Sequence, residues 1–306
     1  MIQVRNLSKS FGAIEAVRDL SFNVSEGEVV GFLGPNGAGK STTIKMLTGY
    51  LTPSGGTASV ADMDTARDIL AIRRRIGYMP QDVPLYEDMV VLDYLVFISQ
   101  VREIPSSRRR EKIREVAESC GIEKVITQSI GTLSSGYKQR VGLAQALIHN
   151  PDILILDEPT SDLDPNQIVE IRNLIKEIGK RKTVILSSHI LSEVQATCGR
   201  VMILHEGRLV ADGSPDELLA SERANNIVHV TFQGVEPQEG SDAIQTVKSI
   251  TRVSSKGDGR FVVEAEKGRD VRPDLFHLAV DRKWVLLEMR TEQISLEDVF
   301  RKLTMN

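Results

Sequence analysis

The sequence predicts an α/β fold with a mainly parallel sheet, followed by a small α+β domain. Short unbroken apolar runs at Val29–Leu33 and at residues 153–156, 184–186 and 201–204 are typical of strands buried on both faces. Between these runs lie segments with the apolar spacing of helices. Because strands that alternate with helices build parallel sheets, the pattern indicates an α/β core.

Two kinds of periodicity identify the individual elements. Near the start of the chain, pairs of apolar residues have the alternate spacing of half-buried strands; they are Ile2 with Val4 and Phe22 with Val24. Helical spacing predicts two helices, one with the stripe Ile113, Val116, Ala117 and Cys120 and one with the stripe Ile168, Ile171, Ile175 and Ile178. We expect Gly179 to cap the second helix, because glycine is favoured directly after a last helical turn.

The character of the sequence changes after residue 220. Residues 221–226 have the polar composition of a linker, and alternation restarts at residue 229. The following segments predict strands at residues 229–232, 261–265 and 284–287 and helices at residues 272–280 and 295–303. We therefore expect two domains, residues 1–220 and residues 221–306, the second an α+β domain of about 80 residues.

Composition excludes several classes of protein. The chain has 306 residues, 41% hydrophobic and 26% charged, which is typical of a folded globular protein. Its 42 acidic and 38 basic residues give a net charge of −4, so the chain has no basic footprint for nucleic acid. No apolar stretch approaches the length of about 18 residues that a transmembrane helix needs, and we expect a cytoplasmic protein. The cysteines, Cys120 and Cys198, form no CxxC pair, so neither a disulfide framework nor a cysteine zinc site is expected.

The strongest motif is a glycine-rich loop. Residues 34–42 read GPNGAGKST and match the pattern of a phosphate-binding loop. Glycine lets backbone N–H groups approach phosphate oxygens, Lys40 can reach the β- and γ-phosphates, and the Ser41 hydroxyl can bind Mg²⁺. The alternative is a chance glycine-rich turn, but here an apolar strand precedes the loop and a helix is expected to follow it. The predicted nucleotide-binding residues are Gly34, Pro35, Asn36, Gly37, Ala38, Gly39, Lys40, Ser41 and Thr42.

Two acidic residues follow the apolar run at residues 153–156. Asp157 can hold Mg²⁺, and Glu158 can orient or deprotonate a water that attacks the γ-phosphate. The alternative is an ordinary strand that ends in two surface acids. Because the chain also carries a phosphate loop, we favour the catalytic interpretation.

A histidine follows the apolar run at residues 184–186. The carboxyl ends of parallel strands share one edge of a sheet, where ligands bind, so Gly34, Asp157 and His189 are expected to converge. The alternative for a lone histidine is a structural or surface role. The remaining histidines lack such a setting and are interpreted as structural: His149, His205, His229 and His277.

The segment before the two acids carries a resemblance to a known family. Residues 132–140 read TLSSGYKQR and resemble the signature, usually LSGGQ, of the ATP-binding subunits of ABC transporters. The matching residues are Leu133, Ser134, Ser135, Gly136 and Tyr137, with Ser135 in place of a glycine and Tyr137 in place of the glutamine. Without the resemblance, the segment predicts only a helix N-cap at Ser134 or Ser135, which is compatible with the signature role.

The resemblance covers about residues 1–220. It implies a P-loop NTPase core of the ABC ATPase type, with an antiparallel β subdomain and a helical signature subdomain. It also implies ATP and Mg²⁺ as cofactors. The implied metal-binding residues are Ser41, Gln81 and Asp157, and the implied catalytic residues are Glu158, His189, Gln81 and Lys40.

Further positions match the family one at a time. Phe11 corresponds to the aromatic residue that stacks on adenine; its alternative is a core phenylalanine. Gln81 corresponds to the glutamine that reaches Mg²⁺ and the attacking water and couples to the membrane subunit. Asp164 falls in the D-loop, where Asp162 replaces a residue that is usually small. The signature is expected to contact the ATP of the opposite subunit in a dimer.

A narrower resemblance comes from residues 31–36, 190–193 and 295–300, which are similar to the ATPases of ABC-2 type exporters, including gliding-motility and drug-export subunits. It implies a separately encoded ABC-2 type membrane permease as partner, a homodimer or pairing with a second ATPase subunit, and a peripheral location on the cytoplasmic face of the membrane. The alternative is a soluble ABC ATPase that acts in translation or DNA repair. A single phosphate loop and the lack of room for a long coiled coil disfavour this alternative, and we expect no nucleic-acid partner.

Overall fold

In this computed structural model, residues 1–222, 226–266, 268–291 and 295–304 are described. Their helices and strands are, in chain order, β1 (Ile2–Phe11), β2 (Ile14–Val24), β3 (Val29–Leu33), α1 (Lys40–Leu47), β4 (Gly55–Val60), β5 (Met63–Asp64), α2 (Ile69–Arg75), β6 (Ile76–Met79), α3 (Val91–Val101), α4 (Ser106–Cys120), α5 (Ser135–Leu147), β7 (Ile153–Asp157), α6 (Pro165–Gly179), β8 (Thr183–Ser188), α7 (Leu191–Thr197), β9 (Arg200–His205), β10 (Arg208–Gly213), α8 (Pro215–Glu222), β11 (Asn226–Gln233), α9 (Pro237–Gln245), β12 (Ile250–Ser255), β13 (Arg260–Ala265), α10 (Arg272–Arg282), β14 (Val285–Thr291) and α11 (Leu296–Thr304).

The central sheet has six strands in the order β10-β9-β3-β8-β7-β6, and all but β10 run parallel. The apolar runs of the sequence form β3, β7, β8 and β9, which are almost entirely buried, as predicted. Register pairs Leu33 with Ser188 and Asp157 with Ser187. The carboxyl ends of β3, β7 and β8 therefore lie side by side on one edge of the sheet.

An antiparallel sheet with the order β2-β1-β4-β5 packs on the central sheet. The two sheets share one hydrophobic core, in which the ring of Phe22 meets that of Phe32 edge to face at 5.4 Å between centroids. The alternating residues Ile2 and Val4 are buried in this core. The antiparallel β subdomain implied by the family resemblance is confirmed.

A group of helices, α3, α4 and α5, carries the signature segment. The apolar stripe predicted for α4 is buried, which confirms the periodicity. The prediction for the end of α6 is wrong, because Gly179 is the last helical residue and Lys180 is the C-cap. A Cβ at Gly179 would lie 2.6 Å from Val29 Cγ2, so glycine is required for close packing of helix on sheet. Among the described residues, no helix has both the length and the apolar character needed to span a membrane.

Internal contacts divide the chain into two units, one of Met1–Pro215 with the residues from Phe300 onward, and one of Asp216–Val299. The division predicted after residue 220 falls inside α8, and residues 223–225 of the predicted linker lie outside the described residues. The domain boundaries stay a prediction.

The second unit has the element order β11-α9-β12-β13-α10-β14 and the sheet order β12-β13-β11-β14, the split βαβ arrangement of ferredoxin-like folds. Its core contains Phe232 and Phe261, and the ring of Trp284 packs on Phe232 at 5.2 Å between centroids. The sequence did not predict α9 or β12. Gly240, in the middle of α9, conceals the helix because glycine is a poor helix former, yet a Cβ there would lie 2.1 Å from the Phe261 ring.

Candidate active site

The phosphate loop, residues 34–42, joins β3 to α1. Gly37 and Gly39 have φ values of +82° and +99°, a left-handed conformation that residues with side chains disfavour. Gly34 is limited by space instead, since a Cβ there would lie 2.4 Å from the carbonyl oxygen of Leu204. Backbone conformation and tight packing therefore both require the glycines of this loop.

Lys40 is a buried cation at the start of α1, with 5% of its surface exposed. Its Nζ donates hydrogen bonds to the carbonyl oxygens of Gly34 at 2.7 Å and Pro35 at 3.2 Å, and it lies 3.5 Å from Glu158 Oε1. Burial lowers the pKa of the ammonium group, and the carboxylates of Glu158 and Asp157 partly oppose this effect. The loop thus holds one positive charge against its own backbone.

Asp157 is 2% exposed and accepts two hydrogen bonds at Oδ1, from Ser41 Oγ at 3.0 Å and from Ser187 Oγ at 2.6 Å. A carboxylate and a hydroxyl at this distance are oxygen ligands of the kind that Mg²⁺ prefers, so the residues fit this ion. Within the described part of the chain, no group of three or more His, Cys, Asp or Glu side chains could hold a metal. A magnesium site here would therefore use few protein ligands, as is usual where a nucleotide supplies phosphate oxygens.

Glu158 and His189 form a close pair at the ends of β7 and β8. Nδ1 of His189 lies 2.6 Å from Glu158 Oε2, and Glu158 is only 7% exposed. The backbone of Glu158 has φ +49°, and its N–H donates to Ser187 Oγ at 3.0 Å. The expected convergence of Gly34, Asp157 and His189 is present, and Lys40 and Glu158 lie at the same place.

A cavity of about 590 Å³ opens over the phosphate loop and is lined by Lys40, Ser41, Gln81 and Glu158. Sequence reasoning missed the wall that β2 supplies through Ile14, Glu15, Ala16 and Arg18, together with Glu206 after β9. Nothing in the local sequence marks these residues, because the β2 residues come from the other sheet and Glu206 follows a strand far along the chain from the loop. A larger cavity of about 860 Å³ at the amino ends of the strands is lined by Asn150, Lys182 and Thr183 and contains none of the predicted site residues.

Phe11 ends β1 and is 47% exposed, so the alternative of a core phenylalanine is wrong. Lys9 Nζ lies 5.3 Å from the centroid of its ring. An exposed ring can receive a base by stacking. The adenine contact itself stays a prediction.

The signature residues begin α5. Ser134 is the N-cap, and its Oγ accepts a hydrogen bond from the Tyr137 N–H at 3.5 Å. Ser135 is the first helical residue and is not among the residues with positive φ, so it replaces glycine without backbone strain. A Cβ on Gly136 would lie 2.8 Å from Gln167 Cδ, which explains the glycine. In the described chain, residues 133–137 do not line the cavity over the phosphate loop.

The D-loop segment leads from β7 into α6. Asp164 caps α6, because its Oδ1 accepts hydrogen bonds from the N–H groups of Asn166 and Gln167, each at 3.0 Å. Asp162 is exposed and has φ +61°, a conformation that aspartate tolerates better than most residues. Asp164 therefore has a structural role in addition to any role at a subunit interface.

Other titratable groups that the sequence left as structural lie outside this site. His149 Nε2 donates to the carbonyl oxygen of Ile76 at 3.0 Å, and burial lowers the pKa of this imidazole to about 4. Cys120 and Cys198 are free and buried, and burial raises the pKa of each thiol to about 12.

Phosphate loops occur in many nucleotide hydrolases, but the segment 133–137 at the start of α5, ahead of β7, is typical of the ATP-binding cassettes. Residues 17–161 match the family model described as ABC transporter. The chain belongs to the family of ABC transporter ATP-binding proteins, and as a member of it binds and hydrolyses ATP.

Relatives match along the whole chain. An uncharacterized ABC transporter ATP-binding protein of Bacillus subtilis (strain 168) is 36% identical over 99% of each chain. The Nod factor export ATP-binding protein I of Burkholderia orbicola (strain AU 1054) is 33% identical over 99% of this chain and 96% of its own. The bacitracin transport ATP-binding protein of Bacillus licheniformis is 33% identical over 99% and 97%.

Solved structures match about 70% of the chain. The cbiO1 protein of Clostridium perfringens, part of the ABC transporter complex cbiONQ, has a TM-score of 0.67 at 31% identity, and the match covers 72% of this chain and 91% of its own. A dimeric post-hydrolysis cassette with ADP and phosphate, MJ0796, has a TM-score of 0.64 at 26% identity over 70% and 98%. The cassette fold predicted from the sequence is confirmed.

Proposed function

We propose that this chain is the ATP-hydrolysing subunit of an ABC-type exporter, and that two copies close around two ATP molecules to drive an ABC-2 type permease. The observation that carries the ATPase role is the Glu158 carboxylate, which lies 3.5 Å from Lys40 and 2.6 Å from His189 beside the phosphate loop. Export is supported by relatives named for Nod factor export and bacitracin transport, which match the chain over 99% of its length. Relatives named for export and transport favour this proposal over a soluble ATPase that acts in translation or DNA repair.

Each group at the site has a proposed role in hydrolysis. The backbone N–H groups of residues 34–42 and the Lys40 ammonium bind the phosphates. Ser41, Gln81 and Asp157 hold Mg²⁺, which when bound offsets negative charge on the phosphate oxygens. Glu158 takes the proton of the attacking water, and His189 holds the Glu158 carboxylate in position. Phe11 stacks on the adenine.

The second half of each ATP site comes from the opposite subunit, which is a second copy or a related ATPase. Residues 133–137 are separate from the cavity of their own chain, and Ser134 is exposed at the N-terminus of α5, where the helix dipole favours an anion. In this arrangement the signature binds the γ-phosphate held by the partner. Asp164, in the D-loop, lies at the same interface.

An apolar surface supports docking of a permease. Tyr86, Phe97 and Val101 are 53%, 37% and 61% exposed, and the rings of Tyr86 and Phe97 are 5.7 Å apart. Tyr86 lies in the loop that also carries Gln81. Such a surface on a chain without a membrane-spanning helix among its described residues suits a cytoplasmic segment of a membrane protein. The chain is thereby held at the cytoplasmic face of the membrane.

The docking surface is physically linked to the signature. Glu87 follows Tyr86, and its carbonyl oxygen accepts hydrogen bonds from the Gly131 N–H and the Ser129 hydroxyl, both at 2.9 Å. Its carboxylate lies 2.6 Å from Lys138 Nζ in α5. A displacement of this loop by the permease therefore reaches the start of α5.

Co-purification with the permease tests the proposal. The tagged full chain is expressed with the membrane proteins encoded beside its gene, and the detergent extract is assayed for bound membrane protein and for ATP hydrolysis. We expect Phe97→Arg to lose the permease and keep the hydrolysis rate of the isolated chain. Val169→Arg, a change at a 42% exposed residue of α6, is the matched control and should keep both. A chain that hydrolyses ATP but retains no membrane protein in any form would refute the transporter role.

A further inference from the structure

A buried carboxylate lies behind the Glu158–His189 pair. Glu193, in α7, is 8% exposed. Its Oε2 accepts hydrogen bonds from Thr160 Oγ1 at 2.5 Å and from Ser188 Oγ at 3.1 Å. Its Oε1 is buried and has no hydrogen-bond partner among the residues that the structure describes. A carboxylate oxygen buried without a partner lowers stability, so a compensating benefit is expected at this position.

The two hydroxyl groups that Glu193 joins belong to two different loops of the site. Thr160 lies two residues after Glu158 in the loop that follows β7, and Ser188 immediately precedes His189 at the end of β8. The Ser188 hydroxyl accepts a hydrogen bond from the Ile190 N–H at 3.0 Å, which leaves its own proton free for Glu193. Glu193 therefore bonds to both loops that carry the catalytic pair.

The backbone at Glu158 is one that needs such support. Its φ of +49° is unfavourable for a residue with a long side chain and persists only where the surroundings fix it. Ser187 holds the N–H side of Glu158, through its hydroxyl at 3.0 Å and its carbonyl oxygen at 3.2 Å. On the other side, the Ser161 N–H donates to the Glu158 carbonyl oxygen at 3.1 Å, next to the Thr160 that Glu193 holds.

We propose that Glu193 is a positioning residue of the ATPase site, which ties the loop of Glu158 to the loop of His189 and so keeps the two side chains in contact. This inference rests on the proposed roles of Glu158 and His189. Glu193 does not line the cavity over the phosphate loop and acts through Thr160 and Ser188. Its loss should therefore affect the chemical step more than the binding of ATP.

Steady-state and single-turnover hydrolysis by the purified full chain test the proposal. We expect Glu193→Ala to lower kcat roughly tenfold with less than about a twofold change in KM for ATP, because misplaced catalytic groups slow the reaction without weakening binding. Glu193→Gln should restore kcat to within about threefold of the parent, since its amide oxygen still accepts from Thr160 and Ser188. A stable fold with parent kcat in Glu193→Ala would overturn the proposal.

A matched pair of threonine variants covers the case in which Glu193→Ala does not fold. Thr160→Val removes one of the two donors to Glu193 Oε2, and Thr197→Val removes a hydroxyl that donates to the Glu193 backbone carbonyl at 2.7 Å. Both changes keep the shape of the side chain. The proposal requires kcat to fall in Thr160→Val and to stay at the parent value in Thr197→Val; equal effects would contradict it.

A double-mutant cycle separates positioning from a general loss of structure. If Glu193 acts through Glu158, Glu193→Ala should slow hydrolysis no further in a Glu158→Gln background. A further loss of about tenfold, the size expected in the parent background, would overturn the positioning role. Parent-like turnover by Glu158→Gln alone would instead refute the proposed catalytic site, whatever the behaviour of Glu193.

Discussion

Replacing Glu158 by glutamine keeps the size of the side chain but removes a proton acceptor from the site. Oε2 of Glu158 lies 2.6 Å from His189 Nδ1 and Oε1 lies 3.5 Å from Lys40 Nζ, so the glutamine oxygen can keep one of these contacts. An amide cannot take the proton of the attacking water. Because a positioned acid–base group contributes about 10²- to 10⁴-fold, we expect turnover to fall at least ~100-fold, or about 2.7 kcal/mol in activation free energy.

The same substitution also removes a negative charge beside the expected position of the γ-phosphate. The closed dimer with ATP then loses a repulsive contact and is no longer opened by hydrolysis. We expect Glu158→Gln to be monomeric alone and a stable dimer with ATP and Mg²⁺, as measured by light scattering. Asp157→Asn is the control. The Asp157 carboxylate accepts a hydrogen bond from Ser41 Oγ at 3.0 Å, and its loss should weaken Mg²⁺-dependent binding of ATP without trapping a dimer.

Light scattering and the hydrolysis rate together test both roles of Glu158. A Glu158→Gln chain that stays monomeric in ATP and hydrolyses it at the parent rate would contradict both the catalytic role of Glu158 and the closed dimer. Slow hydrolysis without dimer formation would retain the catalytic role and reject only the charge argument.

Two further perturbations have defined outcomes. Ser134→Arg should bind ATP but not hydrolyse it, and Lys40→Ala should not hydrolyse ATP either. A mixture of the two variants should regain activity, because one composite site of the mixed dimer carries neither change. Loss of ATP binding by Ser134→Arg in a titration would contradict action of the signature across the dimer. Lowering the pH from 7 to 5 should reduce the free energy of unfolding by about 2 kcal/mol through His149, whose pKa is about 4 in the folded chain and about 6.5 when unfolded, so that stability is lost as the pH falls. His149→Gln should abolish this part of the pH dependence in urea unfolding, and an unchanged dependence would assign it to other groups.

Local sequence predicted those parts of the site whose chemistry is tied to a strand end. Asp157, Glu158 and His189 follow buried apolar runs, and parallel pairing of β7 with β8 alone brings these runs together. Ser187 and Glu193 were missed because serine is an ordinary residue at the end of a strand and glutamate is an ordinary residue in a helix. Their importance arises from hydrogen bonds between loops, such as Ser187 with Asp157 at 2.6 Å, which no local pattern encodes.

The prediction of the fold was less accurate at positions where a glycine has several possible structural roles. In α6, the sequence predicts that Gly179 is a cap, whereas the structure explains this glycine by its close approach to Val29. In α9, Gly240 and polar neighbours hide a helix whose glycine accommodates the ring of Phe261. Capping, a turn and close packing all select glycine, so the sequence alone cannot distinguish them.

The two buried thiols provide built-in probes of local opening. A thiol with a pKa near 12 is almost entirely unreactive at neutral pH while it stays covered, because only the thiolate attacks a labelling reagent. The rate at which a reagent modifies Cys120 then measures how often the end of α4 becomes exposed to solvent. The rate for Cys198 measures how often the segment between α7 and β9 becomes exposed. Because the native thiols do not react, engineered surface cysteines can be labelled selectively with both native cysteines in place. Distances between the labels, within and between subunits, can then be followed during turnover.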